Sequence, residues 1–434
     1  MSAPLPVDIL VESVIRPGLC ARCGTCVGVC PTGNLSIDDP MGDCVPVAHN
    51  LCTACGMCLA GCPGAEVDFL EHEARLFGAS QRHPLLGVVR SRFLAHAVDP
   101  VIRRKGSSGG VVTALLLDLL ARGEAEAAAL FAPHPAEPWR GWGRIVREPG
   151  EIVASAQSRY HLSPLNTVLG EVAGARGGIA YVGLSCQVHG LRKLEQSGWG
   201  PARRIRPVIG VYCGNNLYYE GTLTMLRKLG VKSVEEISSL AYREGKWPGS
   251  FTVTTRDGRT RSVSKLEFNQ AIPFYVNRRC LFCIDLTNEL TDISVGDGWA
   301  KEGTGDEGWA VVLARTPLGE AIVENAGRAG ILHLEAISEE EAARMHAHAF
   351  DLKKTGASLR LSLWKRWGRP VPRYDLPAPA VGIGRRLAEH IVSAQFVFCG
   401  SSAGRALFRA APLGLLGALF RWARRSWMAT AARR

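Results

Sequence analysis

CARCGTCVGVCP runs from Cys20 and CTACGMCLAGCP from Cys52. Both follow one pattern: Cys, two residues, Cys-Gly, one residue, Cys, three residues, Cys-Pro. Four cysteines packed into so short a span are too crowded for two relaxed disulfides. Zinc knuckles space two CxxC pairs by a longer loop, so a tetrahedral zinc site fits poorly as well.

The spacing is that of bacterial ferredoxins, whose cysteines hold [4Fe–4S] clusters. Three cysteines on one tight loop reach three irons of a cube. Gly24 and Gly56 let the backbone wrap close, and Pro31 and Pro63 turn the chain away after the last ligand. In such pairs the fourth cysteine serves the other cluster. The expectation is one cluster on Cys20, Cys23, Cys26 and Cys62, and a second on Cys52, Cys55, Cys58 and Cys30. The stretch between the runs reads as two short strands around a turn, with Cys44 a small buried residue.

The 434 residues allow two or three domains, and 47% apolar content with 21% charge is ordinary for a globular chain. The net charge of +11 owes much to arginines near the C-terminus. No basic stripe interleaved with aromatics suggests nucleic acid. The start lacks the basic-then-apolar signature of a signal peptide, so a cytoplasmic location is expected, where clustered cysteines serve metals. No apolar run is long enough to span a bilayer.

Four further cysteines stand mid-chain. Cys186 and Cys213 each follow a buried-strand run, IAYVGL and VIGVYC, and so lie at strand ends facing a ligand crevice. Cys280 and Cys283 form a CxxC pair. Spacing alone leaves iron–sulfur, zinc and a redox dithiol open. In RRKGSSGGVVTALLLDLLARG, Ser107 and Ser108 suit a helix N-cap, and apolar residues from Val111 recur at helical spacing up to Gly123. Gly109 and Gly110 would admit an anion near the helix N-terminus, such as a flavin or nucleotide diphosphate; a plainly capped core helix is the alternative. Asp292 and Asp297, beside a glycine turn before Trp299, read as ribose ligands, cluster partners or turn caps.

KGSSGGVVTALLLDLLARG, YVGLSCQVHGLRKL, IGVYCGNN and CLFCIDLTNELTDISVGDGWA, in this order, resemble the coenzyme F420 hydrogenase/dehydrogenase beta-subunit family over roughly residues 90–350. The resemblance implies FAD and a third [4Fe–4S] cluster on Cys186, Cys213, Cys280 and Cys283. It implies that Ser107, Ser108, Gly109, Gly110 and Thr113 meet the FAD, and that Ser158, Arg159 and Tyr160 form a second flavin-side segment, with Arg159 on a phosphate. Asp297 is counted among the cofactor contacts. GLSC stands where the family more often has Gly-Thr-Pro-Cys. Single electrons would enter at the N-terminal clusters, pass to the inner one and then to FAD, which exchanges a hydride with a small organic substrate or a deazaflavin. The electron source would be a carrier such as ferredoxin or a partner redox subunit. The alternatives are an electron-transfer subunit of a larger complex and a non-catalytic iron–sulfur scaffold or sensor. His189 is a candidate proton donor, although a packed histidine is the more ordinary role.

The expected class is α+β. A ferredoxin-like module spans 1–70 and a linker 71–89. A mixed α/β flavin-binding region spans 90–350, a Pro/Arg-rich extended linker 351–383, and a basic amphipathic helical tail 384–434. That tail suits peripheral contact with an anionic membrane face; packing on the catalytic region or a partner is the alternative.

Overall fold

A computed structural model describes residues 3–78, 80–299 and 307–414. Its centre is a mixed eight-stranded sheet. In chain order the strands are β1 (Ser91–Ala97), β2 (Ala127–Pro133), β3 (Gly141–Val146), β4 (Ile179–Gly183), β5 (Ile205–Val211), β6 (Ile293–Asp297), β7 (Ala310–Ala314) and β8 (Leu332–Ala336). Their order across the sheet is β8-β1-β7-β6-β5-β4-β2-β3. The middle, β2-β4-β5-β6, is parallel, and both flanks are antiparallel. Strands buried on both faces need continuous apolar runs, as IAYVG and the VIGV of β5 provide.

Helices α1 (Val111–Ala121) and α3 (Pro317–Arg328) cover one face, while α2 (Ser185–Gln196) covers the other. Val29, Val67 and Phe69 of the N-terminal module join the second face's core, so the cysteine runs are packed onto the sheet domain rather than tethered beside it. A three-stranded antiparallel sheet (Ile237–Glu244, Ser250–Thr255, Thr260–Ser264) stands apart from the main one.

In the N-terminal module, Leu35–Ser36 pairs antiparallel with Val47–Ala48, and Cys44 is buried. Gly24 and Gly56 sit at φ +86° and +75°, each just before a four-residue helix that carries the third cysteine of its run. Only glycine takes that left-handed turn without strain.

Two linker expectations are corrected. Segment 71–89 begins inside helix Phe69–Phe77, whose first amides, of Phe69 and Leu70, are capped by the carboxylate of Asp375 at 2.7 and 2.8 Å. Segment 351–383 is helical through Arg366: a helix over 347–366 contains a π-turn at Asp351–Gly356. Lys353, Lys354 and Arg360 in it are buried, and remote carboxylates receive two of them: Lys354 pairs with Glu289, and Arg360 with Glu389. Beyond Trp367 the chain is extended, and Arg373–Tyr374 adds a parallel strand to Glu66–Val67 of the N-terminal module.

The tail is helical where described. Helix α4 (Ile383–Cys399) and α5 (Ser402–Ala410) bend by 76° at their junction, and α5 ends before Pro412. Phe396 and Phe408 pack into the catalytic region's core. Among the described residues no single helix is long and apolar enough to cross a membrane. The part of the expected amphipathic tail in 415–434 lies outside the described residues.

Candidate functional site

Cys20, Cys23, Cys26 and Cys62 line one cavity, closed on its far side by Leu10, Val14 and Ile15. The Cys26 thiol faces Cys20, Cys62 and Cys23. Cys58 faces Cys55, Cys52 and Cys30. The two fourth cysteines are therefore exchanged between the runs. Burial pushes the Cys62 thiol up to about 12 and Cys58 to about 11, with neighbouring sulfurs adding to the shift. Grouped buried thiols of this kind need a cationic centre to be held as thiolates. Among the described residues no three His, Cys, Asp or Glu side chains converge on a single metal ion. Sulfurs placed around a four-iron cube stand further apart than sulfurs around one tetrahedral ion, so the donor sets fit clusters better than zinc.

The scattered cysteines form a third set. β4 ends at Gly183 and β5 at Val211, which puts Cys186 in the first turn of α2 and Cys213 just past its strand. Cys186 faces Cys213, Cys280 and Cys283, and burial drives its thiol upward. The turn at Leu184 lacks the family's usual proline. The Gln187 side chain fixes it instead, accepting from the Leu184 amide at 2.7 Å and donating to the Ser163 carbonyl.

The first and third sets adjoin. Cys23 and Cys186 lie within electrostatic reach of each other. Arg279, one residue before Cys280, donates to the carbonyls of Gly64 at 3.0 Å and Pro63 at 3.1 Å, immediately after Cys62. Asn277 Nδ2 reaches the Cys20 carbonyl at 3.5 Å. Asn166 seals the same seam: its amide donates to the Cys23 carbonyl at 3.0 Å, and its Nδ2 to Thr25 Oγ1 at 2.8 Å.

A polar cluster stands at the carboxyl end of β6. Ser108 Oγ donates to Asp297, which also binds Arg243 at 2.7 Å and Lys265 at 3.1 Å. Burial works to raise the Asp297 carboxyl, but the two cations hold it well below the usual range. Ser107 Oγ accepts from the Ser158 amide at 2.8 Å, joining the two expected flavin segments. Arg159 donates to the carbonyls of Phe131, Ser155 and Gln157, with no carboxylate partner among the described residues; burial lowers it to about 10. Arg243 Nη2, His161 Nε2 and Trp247 Nε1 are buried without a partner among the described residues, and Trp247 lies 4.6 Å from Trp299 between ring centroids. His161 Nδ1 donates to the Leu162 carbonyl, so its Nε2 is an acceptor; the two free donors, Arg243 Nη2 and Trp247 Nε1, beside an aromatic ring pair suit an anionic, flat cofactor such as a flavin diphosphate.

One sequence expectation changes here, and three further residues or pairs are placed. Ser107 and Ser108 do not cap α1; Gly110 holds the cap position, and the hydroxyls are spent on Ser158 and Asp297. Gly109 and Gly110 serve the chain's own close approach: a Cβ would meet Gly308 O at 3.0 Å and Ile102 O at 2.5 Å, at positive φ. Thr113 is buried on α1. Asp292 is structural, accepting from the Val208 amide at 2.8 Å and Thr316 Oγ1 at 2.7 Å.

His189 is buried with Nε2 2.8 Å from Asp285 and its ring edge-on to Phe69, a packed role. Burial acts to raise Asp285, but the His189 hydrogen bond and nearby Lys354 and Arg315 hold it at about 2.

Residues 92–170 match the N-terminal domain, and residues 177–340 the C-terminal domain, of the coenzyme F420 hydrogenase/dehydrogenase beta subunit. The chain belongs to that beta-subunit family. Residues 12–68 match a 4Fe-4S dicluster domain, so the N-terminal module is of the iron–sulfur type. The chain is 29% identical over 296 residues to the coenzyme F420 hydrogenase subunit beta of Methanothermobacter thermautotrophicus, covering 66% of this chain and 99% of that one. It is 27% identical over 331 residues to the coenzyme F420-dependent sulfite reductase of Methanocaldococcus jannaschii, covering 72% of this chain and 46% of that protein, so it spans about half of that relative's length. A chain of the F420-reducing [NiFe] hydrogenase complex from Methanosarcina barkeri shares the fold, with TM-score 0.54 and 21% identity over 69% of this chain and 99% of that one.

Beyond the family's signature segments, sequence reasoning missed Arg279, Asn166, Arg243, Lys265 and Lys353. Arg279 had a local cue, its position just before the CxxC pair. The others had none, because each acts on a residue far away in the chain.

Proposed function

We propose that this beta-subunit homologue is an iron–sulfur flavoprotein oxidoreductase working as the electron-transferring subunit of a larger assembly. Three [4Fe–4S] clusters and one FAD belong to this reading. The cysteine sets given above hold the clusters, and the Ser107–Gly110 loop with Ser158, Arg159 and the Asp297 cluster holds the flavin. Bound there, the clusters carry electrons singly and the flavin exchanges them in pairs with a small organic substrate or a deazaflavin.

The observation that carries the reading is the seam between the first and third cysteine sets. Arg279 and Asn277 tie the Cys280 loop to the backbone at Cys62 and Cys20, and Cys23 lies within electrostatic reach of Cys186. A relay of single electrons needs such short, rigid separations. The second set, with the exposed Cys55, lies on the outer side and suits docking of a ferredoxin or a partner redox subunit. Arg159, bonded to carbonyls and with no carboxylate partner among the described residues, suits a phosphate, and the Arg243–Asp297–Lys265 group lies at the end of β6. The C-terminal helices suit peripheral contact with an anionic membrane surface, which would place the protein at the inner face of a membrane.

The test is iron, sulfide and FAD per chain after anaerobic purification, repeated with Cys280→Ser/Cys283→Ser. Three clusters give about 12 irons, and the double variant should fall to about 8 with FAD retained. A wild-type protein with about 8 irons and no FAD would sink the flavoprotein reading and leave a cluster module fused to a binding domain.

A further inference from the structure

Lys353 sits in the π-turn Asp351–Gly356, beyond the last residue of the family's matched domains. Its side chain is buried and faces Cys283, Cys213 and Cys280, sharing a small cavity with Cys280. Among the described residues no carboxylate lies within ion-pair distance of it. The neighbouring Lys354, by contrast, is neutralised by Glu289. A π-turn widens the helix by one residue, and such turns concentrate at functional sites. Here it delivers two consecutive lysines inward, one to a carboxylate and one to sulfur.

The turn is locked in place. Arg360 donates to the carbonyls of Leu281, inside the Cys280–Cys283 loop, and Leu352, beside Lys353, each at 2.7 Å. It is itself paired with the buried Glu389 of α4. Cys280, Lys353, Arg360 and Leu352 line one small cavity together with Gly214 and Asn215.

A buried ammonium without a carboxylate is costly unless another negative group faces it. Four thiolates around an iron cube supply that charge, which grows by one when an electron is added. We propose that Lys353 is the positioning cation of the inner cluster: it compensates the thiolates of Cys213, Cys280 and Cys283 and favours the reduced form, so that electrons run inward from the N-terminal clusters. The step it influences is the addition of one electron, with no bond broken and no proton moved. The inference rests on the inner cluster of the proposed function.

The experiment is an anaerobic redox titration followed by electron paramagnetic resonance, with iron counts, on wild type, Lys353→Met, Lys353→Gln and Lys353→Arg. Lys353→Met and Lys353→Gln should keep about 12 irons. At a fixed potential, their inner-cluster ratio of reduced to oxidised form should fall about tenfold, equivalent to 59 mV for one electron. The two N-terminal clusters should not move, and Lys353→Arg should restore most of the shift. Loss of four irons in both neutral variants but not in Lys353→Arg also supports the cation, as a requirement for holding the cluster. Neutral variants with full iron and an unmoved inner potential overturn the proposal, as does loss of iron in all three variants, which marks a packing role. Wild type with about 8 irons instead removes the inner cluster itself, a separate and recognisable failure.

Discussion

His161 is enclosed by the rings of Phe131, Tyr219 and Tyr242, and its Nδ1 is bonded to the Leu162 carbonyl at 2.8 Å. Burial lowers its pKa to about 4 from 6.5; the Leu162 carbonyl opposes this and Arg159 adds to it. The folded chain therefore keeps the ring neutral where the unfolded chain begins to protonate it. The stability this gives is complete above 6.5 and is lost as pH falls from there toward 4. Between pH 7 and 5.5 the loss should be about 1 kcal/mol from this residue. Denaturant unfolding at both pH values checks this: His161→Gln should be less stable overall but show a shallower fall, and an equal fall would remove His161 as the source. His72 and His346, lowered by burial to about 3 and about 4, contribute in the same direction in both proteins. At this scale the N-terminal iron–sulfur runs are legible because ligand spacing there is local chemistry, whereas the scattered set has no such spacing. The role of Asp297 is not legible, because Arg243 and Lys265 reach it from separate elements.

The helix Thr25–Gly28 shows how closely the N-terminal module is fitted to the sheet domain. A Cβ on Gly28 would stand 1.9 Å from the Asn166 carbonyl, a backbone atom that cannot rotate away. Gly28→Ala should therefore force the seam apart and cost about 2–3 kcal/mol by overpacking. Gly174→Ala, with open space around it, should stay within about 0.5 kcal/mol of wild type. Chemical denaturation of the two variants decides it, and similar midpoints would mean the seam is more pliant than its contacts imply. Strands β4 and β5 and helix α1 are readable from apolar runs and helical spacing, since burial on one or both faces leaves a clear pattern. Segments 71–89 and 351–383 read as linkers, although most of Phe69–Phe77 and of the helix over 347–366 falls in them, because composition records charge but not its partner. Arg82 bridges Glu73 and Glu289, and Lys354 shares Glu289, so three segments distant in sequence neutralise one another inside the fold.

Over the whole molecule, charge and apolar exposure separate toward the C-terminal helices. Ile383, Leu387 and Ile391 recur every fourth residue on α4 and are 79, 61 and 71% exposed, with Phe398 and Leu407 exposed nearby. The only carboxylate after Asp375 is Glu389, and it is buried between Arg360 and Arg385. Nine arginines follow Asp375. An exposed apolar stripe in a segment with no exposed acid matches the requirements of an anionic bilayer surface, where basic residues near the headgroups each contribute about 1 kcal/mol. Co-sedimentation with phosphatidylserine-containing vesicles, compared with phosphatidylcholine alone, should show binding only to the former, weakening as salt shortens the Debye length. Leu387→Asp/Ile391→Asp should reduce that binding at least tenfold while leaving iron content unchanged, because neither side chain faces the core. Equal retention by both vesicle types, or none by either, would assign the stripe to a protein partner instead. In the proposed function the exposed second cysteine set would then remain the docking point for an electron carrier, with the α4 face as the place where the assembly holds this subunit.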